Sequence, residues 1–175
     1  MRYVCLLRGI NVGGNMMIKM SELSAMFESL GFSGVKTYIN SGNIGFDSPK
    51  TAEKRLVTKI ESAIEEAFGK KVAVMVREQK NIDRVLANNP IDGQFESHKE
   101  MHVLFLSEEM SDEKEKQLLD ATPEGERYKC IGRELYCHLP KGVIDSLLGK
   151  SFLEKKLKLS ATGRNWRTVQ KLAEL

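Results

Sequence analysis

A loop near the start of the chain combines three glycines with positive charge, a combination that suits the binding of an anion. The loop, Arg8 to Asn15, follows an apolar run from Tyr3 to Leu7 that predicts a strand, and it leads to a helical pattern that begins near Met20. Glycine has no Cβ and tolerates positive φ, so its backbone N–H group can approach a ligand closely. Lys19 precedes the predicted helix, whose N-terminus also favours negative charge. The candidate ligand-binding residues of this loop are Arg8, Asn11, Gly13, Gly14 and Asn15.

The glycine spacing matches neither of two common nucleotide-binding patterns. Gly9, Gly13 and Gly14 lack the Gly-Lys-Ser/Thr ending of a P-loop, and they do not form the G-x-G-x-x-G series of dinucleotide-binding folds. No nucleotide-binding family is therefore indicated. The alternative interpretation is a turn that only lets the chain reverse between strand and helix, and the sequence favours neither interpretation over the other.

A second group of candidates lies near the C-terminus, where two arginines flank the only tryptophan. Thr162 is a favourable N-cap for a last helix from Gly163 to Leu175, which places Arg164 and Asn165 in the first turn. Cations there oppose the helix dipole. Arg164 and Arg167 are therefore candidates for binding a phosphate, a carboxylate of the other half of the protein, or a nucleic-acid backbone. A structural salt bridge is the equal alternative.

Short polar side chains in a predicted hairpin turn form a third group. The runs from Val35 to Asn40 and from Ile44 to Asp47 predict two strands joined around Ser41-Gly42. Asn and Gly supply the left-handed conformations that a tight turn requires, which explains these residues without any function. Ser41 and Asn43 could nevertheless supply hydrogen-bond donors and acceptors to a neighbouring pocket.

The histidines and cysteines show no spacing that identifies a catalytic or metal site. His98 and His102 are four residues apart, but they fall in a predicted loop and a predicted strand, so helical metal-ligand spacing does not apply. The three cysteines, Cys5, Cys130 and Cys137, have no CxxC spacing, and each lies in a predicted strand, which indicates reduced, buried thiols. The sequence predicts no metal site, and it identifies no cofactor and no catalytic residue.

Composition narrows the class of protein. Of the 175 residues, 41% are hydrophobic and 29% are charged, and no apolar run approaches the roughly 20 residues of a membrane-spanning helix. We expect a soluble cytoplasmic protein, because Arg8 and the glycine loop interrupt the first apolar run before it could form a secretory signal. From Lys150 to Leu175, five lysines and two arginines oppose two glutamates. This basic tail is compatible with an anionic small molecule or a nucleic acid as partner, and the oligomeric state stays open.

Hydrophobic periodicity predicts a ferredoxin-like first half. Residues 1 to about 77 follow the order β-α-β-β-α-β, with helices predicted at Met20 to Leu30 and Thr51 to Phe68. This order is typical of a four-stranded antiparallel sheet covered on one face by two helices.

The second half of the chain repeats most of this order. After a short helix and a polar loop, β-α-β-β-α begins again at Met101, with Ser111 as N-cap of its first helix. Helical patterns follow at Val143 to Leu148 and Ser151 to Leu159. We therefore predict an α+β protein with two tandem ferredoxin-like halves, residues 1–80 and 81–175, and a C-terminal helix.

Three segments of the chain resemble the signature segments of one bacterial family. They are Leu6 to Gly14 (LLRGINVGG), Thr37 to Asn43 (TYINSGN) and Ala161 to Leu172 (ATGRNWRTVQKL). In this order they resemble the uncharacterised proteins known as domain of unknown function 1697. The resemblance implies a cytoplasmic α+β protein with two ferredoxin-like halves. It implies no activity, because the family has no established substrate, cofactor or catalytic residue. Gly163 stands where the resemblance leads us to expect a more helix-favouring residue.

We expect the three candidate segments to meet in a polar cleft between the halves. A phosphate-bearing ligand, either a nucleotide or a nucleic acid, would find positive charge from Arg8, Arg164 and Arg167 and hydrogen-bond donors at Gly13-Gly14. Two alternatives remain. The protein could be an enzyme that acts on a small phosphorylated or carboxylated metabolite, or it could bind no ligand, with the signature residues serving only the fold.

Overall fold

The computed structural model describes residues 1–175, which form two compact units. Unit 1 comprises Met1–Arg84 and Lys171–Leu175, and unit 2 comprises Val85–Gln170. The strands are β1 (Arg2–Leu7), β2 (Ser33–Tyr38), β3 (Asn43–Asp47), β4 (Val74–Glu78), β5 (Met101–Leu106), β6 (Arg127–Ile131), β7 (Glu134–His138) and β8 (Ala161–Asn165). The helices are α1 (Met20–Ser29), α2 (Glu53–Phe68), α3 (Gln79–Ala87), α4 (Asp112–Ala121), α5 (Phe152–Lys155) and α6 (Trp166–Leu172). None of these helices is both long and apolar enough to cross a membrane.

The sheet of unit 1 is antiparallel, with the strand order β2-β3-β1-β4. Alternate residues of β1 face the helices, because side chains along a strand point to opposite faces of the sheet. The core on this face combines residues from β1, α1 and α2: Tyr3, Cys5, Leu7, Leu23, Met26, Phe27, Leu56, Ile60 and Ile64. The helical spacing of the α1 and α2 residues places each set on one side of its helix. This arrangement confirms the ferredoxin-like prediction for the first half.

Unit 2 has the same topology. Its antiparallel sheet has the order β6-β7-β5-β8. Counted from the first strand of each unit, both sheets therefore have the strand order 2-3-1-4. Leu104 and Leu106 of β5 pack against Leu118 of α4 and against Leu153 of α5. The predicted α+β class, with two tandem halves and a C-terminal helix, is therefore confirmed.

The start of the last helix was predicted wrongly. The helix does not begin at Gly163, because Ala161–Asn165 form β8, which pairs with β5 from Leu106 to His102. Thr162 is therefore a strand residue and not an N-cap. Asn165 performs that role, since its Oδ1 accepts the N–H of Thr168 at 2.9 Å. Arg164 consequently lies in a strand, so the argument from the helix dipole does not apply to it.

The two helices predicted between Val143 and Leu159 are also largely absent. This region contains a loop, a 3-10 turn at Leu148–Lys150 and a single helical turn, α5. The buried Ser146 stabilises the loop, because its hydroxyl donates to Val143 O and accepts the N–H of Leu148. Gly149 packs against the carbonyl oxygens of Val143 and Ile144 so closely that a side chain could not fit. These local contacts outweigh the helical pattern of the sequence.

Candidate functional site

The glycine loop of unit 1 is a small hairpin of its own. Asn15 N–H donates to Val12 O at 3.0 Å, and Asn11 N–H donates to Met16 O at 3.2 Å. Gly13 and Gly14 connect the two sides with φ values of 59° and 77°, as a type I′ turn requires. A Cβ at either glycine would meet no atom within 4 Å, so conformation and not space demands glycine here. The turn is open to solvent, with Val12 64% exposed.

Asn11 fixes the base of this loop with its side-chain amide. Its Nδ2 donates to Ile18 O at 2.9 Å and to Asn40 O at 2.7 Å, and its Oδ1 accepts the N–H of Ile18 at 2.8 Å. The first two segments singled out in the sequence, the glycine loop and the hairpin turn after β2, are therefore joined directly. This part of the predicted convergence lies within unit 1.

A pocket of about 460 Å³ lies beside this junction, at the N-terminal end of α1. It is lined by Asn11, Met17, Ile18, Lys19, Met20, Ser21, Glu22 and Asn40. Lys19 occupies the N-cap position and no side chain caps the helix. An α-helix leaves its first N–H groups without partners inside the helix, and these groups carry partial positive charge. The pocket therefore opens on a group of backbone donors beside an exposed lysine.

Backbone strain is concentrated around the same junction. Asn11, Met16 and Ile39 have φ values of 54°, 51° and 48°, although none of them is glycine. The left-handed conformation is rare for a β-branched residue, so Ile39 is the most unusual of the three. Its side chain is 50% exposed, so burial of that side chain does not explain the conformation. Strained residues cluster at functional sites more often than elsewhere, which favours this corner as a site.

The hairpin turn after β2 is held mainly by its own polar groups. Asn43 is fully buried, and its Nδ2 donates to Tyr38 O at 2.8 Å and to Ser41 Oγ at 3.0 Å. Gly42 has φ 83°, and a Cβ there would lie 2.7 Å from Leu7 Cβ, so no larger residue fits. The Leu7 N–H donates to Gly42 O at 2.8 Å. Ser41 and Asn43 thus have clear structural roles in the turn.

Arg8 lies where β1 ends, at the entrance to the glycine loop. Its backbone N–H donates to Ala73 O at 3.0 Å, which continues the pairing between β1 and β4 by one residue. The arginine is half-buried. Its position in unit 1 therefore agrees with the position expected from the sequence.

Arg164 in unit 2 is a buried arginine with partners on its own strand. It is 7% exposed, and its Nη1 donates to Thr162 Oγ1 at 2.7 Å and to Gly163 O at 2.9 Å. Its counterpart in unit 1 is Arg77, which was not among the residues predicted from the sequence; it is 2% exposed and donates to Val76 O. Each arginine is the fourth residue of the last strand of its sheet. A charged residue that directly follows an apolar run, here residues 74–76, is the sequence signal that could have identified Arg77.

The other residues of the C-terminal segment serve the fold of unit 2. Asn165 caps α6, as described above, and Trp166 is buried with its ring centroid 6.3 Å from that of Phe95. Arg167 is exposed in the first turn of α6. The predicted cleft between the halves stays a prediction.

The thiols of Cys130 and Cys137 are poorly suited to nucleophilic chemistry at neutral pH. Burial raises the pKa of the Cys130 thiol to about 11 and raises that of Cys137 well above its ordinary value. Burial lowers the pKa of His102, an effect that its hydrogen bond to the backbone of Glu100 partly opposes. The structure contains no group of three or more His, Cys, Asp or Glu residues that could hold a metal ion.

Comparison with known proteins identifies the family of the chain and a related fold. Residues 1–136 match the family described as protein of unknown function (DUF1697), a range that contains two of the three signature segments. The structure of a conserved bacterial protein from Streptococcus pneumoniae is similar, with a TM-score of 0.77 and 25% sequence identity over 99% of this chain and 97% of that one. Comparison with the curated proteins finds no match. Since the family match covers well over half of its length, the chain belongs to the DUF1697 family.

Proposed function

We propose that the protein binds a small ligand with a phosphate or carboxylate group in the pocket at the N-terminal end of α1. The observation that carries this proposal is that an uncapped helix N-terminus, with Lys19 beside it, opens into a preformed pocket. Helix N-termini favour anions because their free N–H groups can donate to the ligand. The volume of about 460 Å³ lies in the range of small-molecule sites.

The charges around the pocket favour a ligand of modest negative charge. Lys19 attracts an anion, whereas Glu22, which also lines the pocket, repels it. The Asn11 side chain holds the loop against the hairpin turn, so the pocket walls need no ordering when the ligand binds. A single phosphate or carboxylate fits this balance better than a polyanion does.

The candidate residues take different roles in this proposal. Arg8, Gly13, Gly14 and Asn15 belong to the loop that borders the site, and Asn11 fixes that loop. Ser41 and Asn43 support the site through the hairpin turn. Arg164 and Asn165 form hydrogen bonds within unit 2, which favours a role in the fold over a role in binding. We assign Arg167 no part in binding.

The test is a titration of ¹⁵N-labelled protein with inorganic phosphate and with adenosine monophosphate, followed by NMR. We expect saturable shifts of the Ser21 and Glu22 amide signals. Lys19→Ala should weaken binding about tenfold, which corresponds to about 1.4 kcal/mol for one charge-assisted contact. Lys71→Ala removes another exposed lysine of unit 1, whose side chain is 85% exposed, and should leave the affinity unchanged. Glu22→Gln should strengthen binding, because it removes the repelling charge.

A nucleic-acid partner and an enzymatic reaction would give different readouts in the same series. Binding to a nucleic-acid backbone falls steeply with salt, because each neutralised phosphate releases counterions, whereas one phosphate contact gives a shallow dependence. Time-dependent product signals during the titration would indicate turnover. Absent shifts with every ligand, or equal losses for Lys19→Ala and Lys71→Ala, would contradict the proposal.

A further inference from the structure

The two sheets have equivalent edge strands, β2 in unit 1 and β6 in unit 2, and only one of them is irregular. The pairing of β2 with β3 shifts register between Ser33 and Lys36, where Gly34 adopts φ 57°. Arg2 Nη1 donates to Gly34 O at 2.7 Å, so this strand has a side chain bound to its backbone at the irregular position. Bulges of this kind obstruct the addition of a further strand.

Strand β6 is regular over its whole length. All five of its residues pair with β7 in one register, from Arg127 opposite His138 to Ile131 opposite Glu134. A two-residue turn, Gly132-Arg133, makes the closing residues a hydrogen-bonded pair. Hydrogen-bonded and non-bonded pairs alternate along an antiparallel ladder, so the backbone N–H and C=O groups of Tyr128 and Cys130 point away from β7. Because β6 is the outermost strand, these groups lie along the open edge of the sheet.

A pocket of about 640 Å³ borders β6, with Arg127, Tyr128 and Lys129 in its lining. Its apolar lining comes from the loop before β5, from α4 and from the residues that follow α4: Pro90, Ile91, Leu119 and Pro123. Leu119 is 50% exposed, so the pocket presents apolar surface to solvent. The core side of β6 carries Tyr128 and Cys130, and an added strand would direct alternate side chains toward this pocket.

The face of β6 opposite to Tyr128 is basic, and its two basic residues also border the pocket. Arg127 and Lys129 are exposed there, and Arg127 is held by Gln94, with its Nη1 2.5 Å from Gln94 Oε1. Lys129 lies at the middle of the strand. A strand added beside it would bring one of its own side chains next to this charge. An acidic residue at that position would be favoured, whereas Glu124 beside the pocket disfavours an acid on the other face.

We propose that β6 binds an extended peptide segment of a partner protein by strand addition, with apolar residues toward the pocket and acidic residues beside Lys129. Main-chain hydrogen bonds to Tyr128 and Cys130 supply affinity, and the alternating side chains supply specificity. A second copy of this chain fits less well. Antiparallel pairing of two β6 strands about their middle would place the two Lys129 side chains opposite each other.

The experiment uses the whole protein and a fluorescein-labelled octapeptide that alternates glutamate with valine. Fluorescence polarisation should show saturable binding, and the peptide that alternates lysine with valine should bind at least tenfold more weakly. Lys129→Glu should reverse this preference. Lys36→Glu, on the equivalent edge strand of unit 1, should leave both affinities unchanged. N-methylation of the peptide amides should abolish binding, because it blocks the main-chain hydrogen bonds without altering the protein.

Cys130→Pro tests the edge from the side of the protein. Proline removes the outward N–H of residue 130 but no hydrogen bond to β7, so it should weaken peptide binding while Cys130→Ala does not. Thermal melts of both variants check that unit 2 still folds. Three results would overturn the proposal. They are the absence of binding by either peptide, equal binding of the N-methylated peptide, and the finding that the wild-type protein is a dimer that the Cys130→Pro substitution dissociates.

Discussion

The two units differ most at the connection between their first strand and first helix. In unit 2, only five residues separate β5 from α4, and Ser111 Oγ caps the helix by accepting the N–H of Lys114. Three acidic residues, Asp112, Glu113 and Glu115, lie in its first turn. In unit 1, twelve residues separate β1 from α1, and Lys19 stands at the N-cap position with no side-chain hydrogen bond. The N-terminus of the first helix is therefore capped by a side chain in unit 2 and uncapped in unit 1.

This difference indicates where the fold has room for function. The α4 N-terminus has the Lys114 N–H bound by Ser111 and three acidic residues in its first turn, so an anion there would compete with the protein. The α1 N-terminus has no side-chain cap and a single acidic residue, Glu22, in its first turn, and a longer, strained loop precedes it. Closing a loop of this length costs more conformational entropy than closing the short connection of unit 2. Long loops in compact domains are often functional, so we expect this loop to have a role. Anion binding by α1 is the role that we propose for it.

The largest expected effect concerns the position at which the two units are most alike. Arg164→Ala should lower the free energy of unfolding by about 3 kcal/mol, because it leaves buried polar groups without their partner. Arg77→Ala should have a similar effect. Arg167→Ala, which removes an exposed arginine three residues from Arg164, should change stability by less than about 0.5 kcal/mol. Urea denaturation of the three variants provides the measurement. Equally small losses of unfolding free energy for Arg164→Ala and Arg167→Ala would contradict the structural equivalence of Arg164 and Arg77.

An intermediate effect is expected in the loop that only unit 1 contains. Asn11→Ala removes three hydrogen bonds, to Ile18 N, Ile18 O and Asn40 O, and should cost about 2 kcal/mol. Asn11→Gly should recover part of this loss, because glycine accepts the positive φ of that residue. Thermal melts compare the two variants. If Asn11→Gly were less stable than Asn11→Ala, backbone strain at this position would not be a source of instability.

The smallest effect concerns the helix caps themselves. Ser111→Ala should destabilise unit 2 by about 1 kcal/mol, as is typical for loss of an N-cap. Lys19→Ala should change stability by only a few tenths of a kcal/mol, because no cap hydrogen bond exists to be lost. Denaturation midpoints measured in the same buffer decide the point. A loss of 1 kcal/mol for Lys19→Ala would mean that α1 is capped after all.

Strong local signals made most of the fold predictable from the sequence. The helical spacing in α2 and the glycine stop at Gly69 identified that helix, and Ser111 was recognised as the cap of α4. Strand β8 was missed because Ala161–Asn165 contains no alternating apolar pattern. Its extended conformation depends on pairing with β5, a long-range interaction that local propensity does not reveal.

The candidate site was predicted in part. The glycine loop and the hairpin turn were both identified, but their connection through Asn11 depends on a contact between residues 29 positions apart. The open end of α1 could have been recognised directly, since lysine is not a capping residue. The helix-dipole argument for Arg164 was wrong, because it rested on a helix that begins later in the chain than expected; the ligand-binding prediction for this residue stays a prediction.

One comparison tests the central claim that the free N–H groups of α1 bind the ligand. Lys19→Ser and Lys19→Ala both remove the lysine charge, but only Lys19→Ser supplies a side-chain oxygen that can occupy these N–H groups and complete a capping box with Glu22. Our account predicts that Lys19→Ser stabilises the protein by about 1 kcal/mol relative to Lys19→Ala and binds inorganic phosphate more weakly in the NMR titration. Equal phosphate affinities for a stabilised Lys19→Ser and for Lys19→Ala would contradict it.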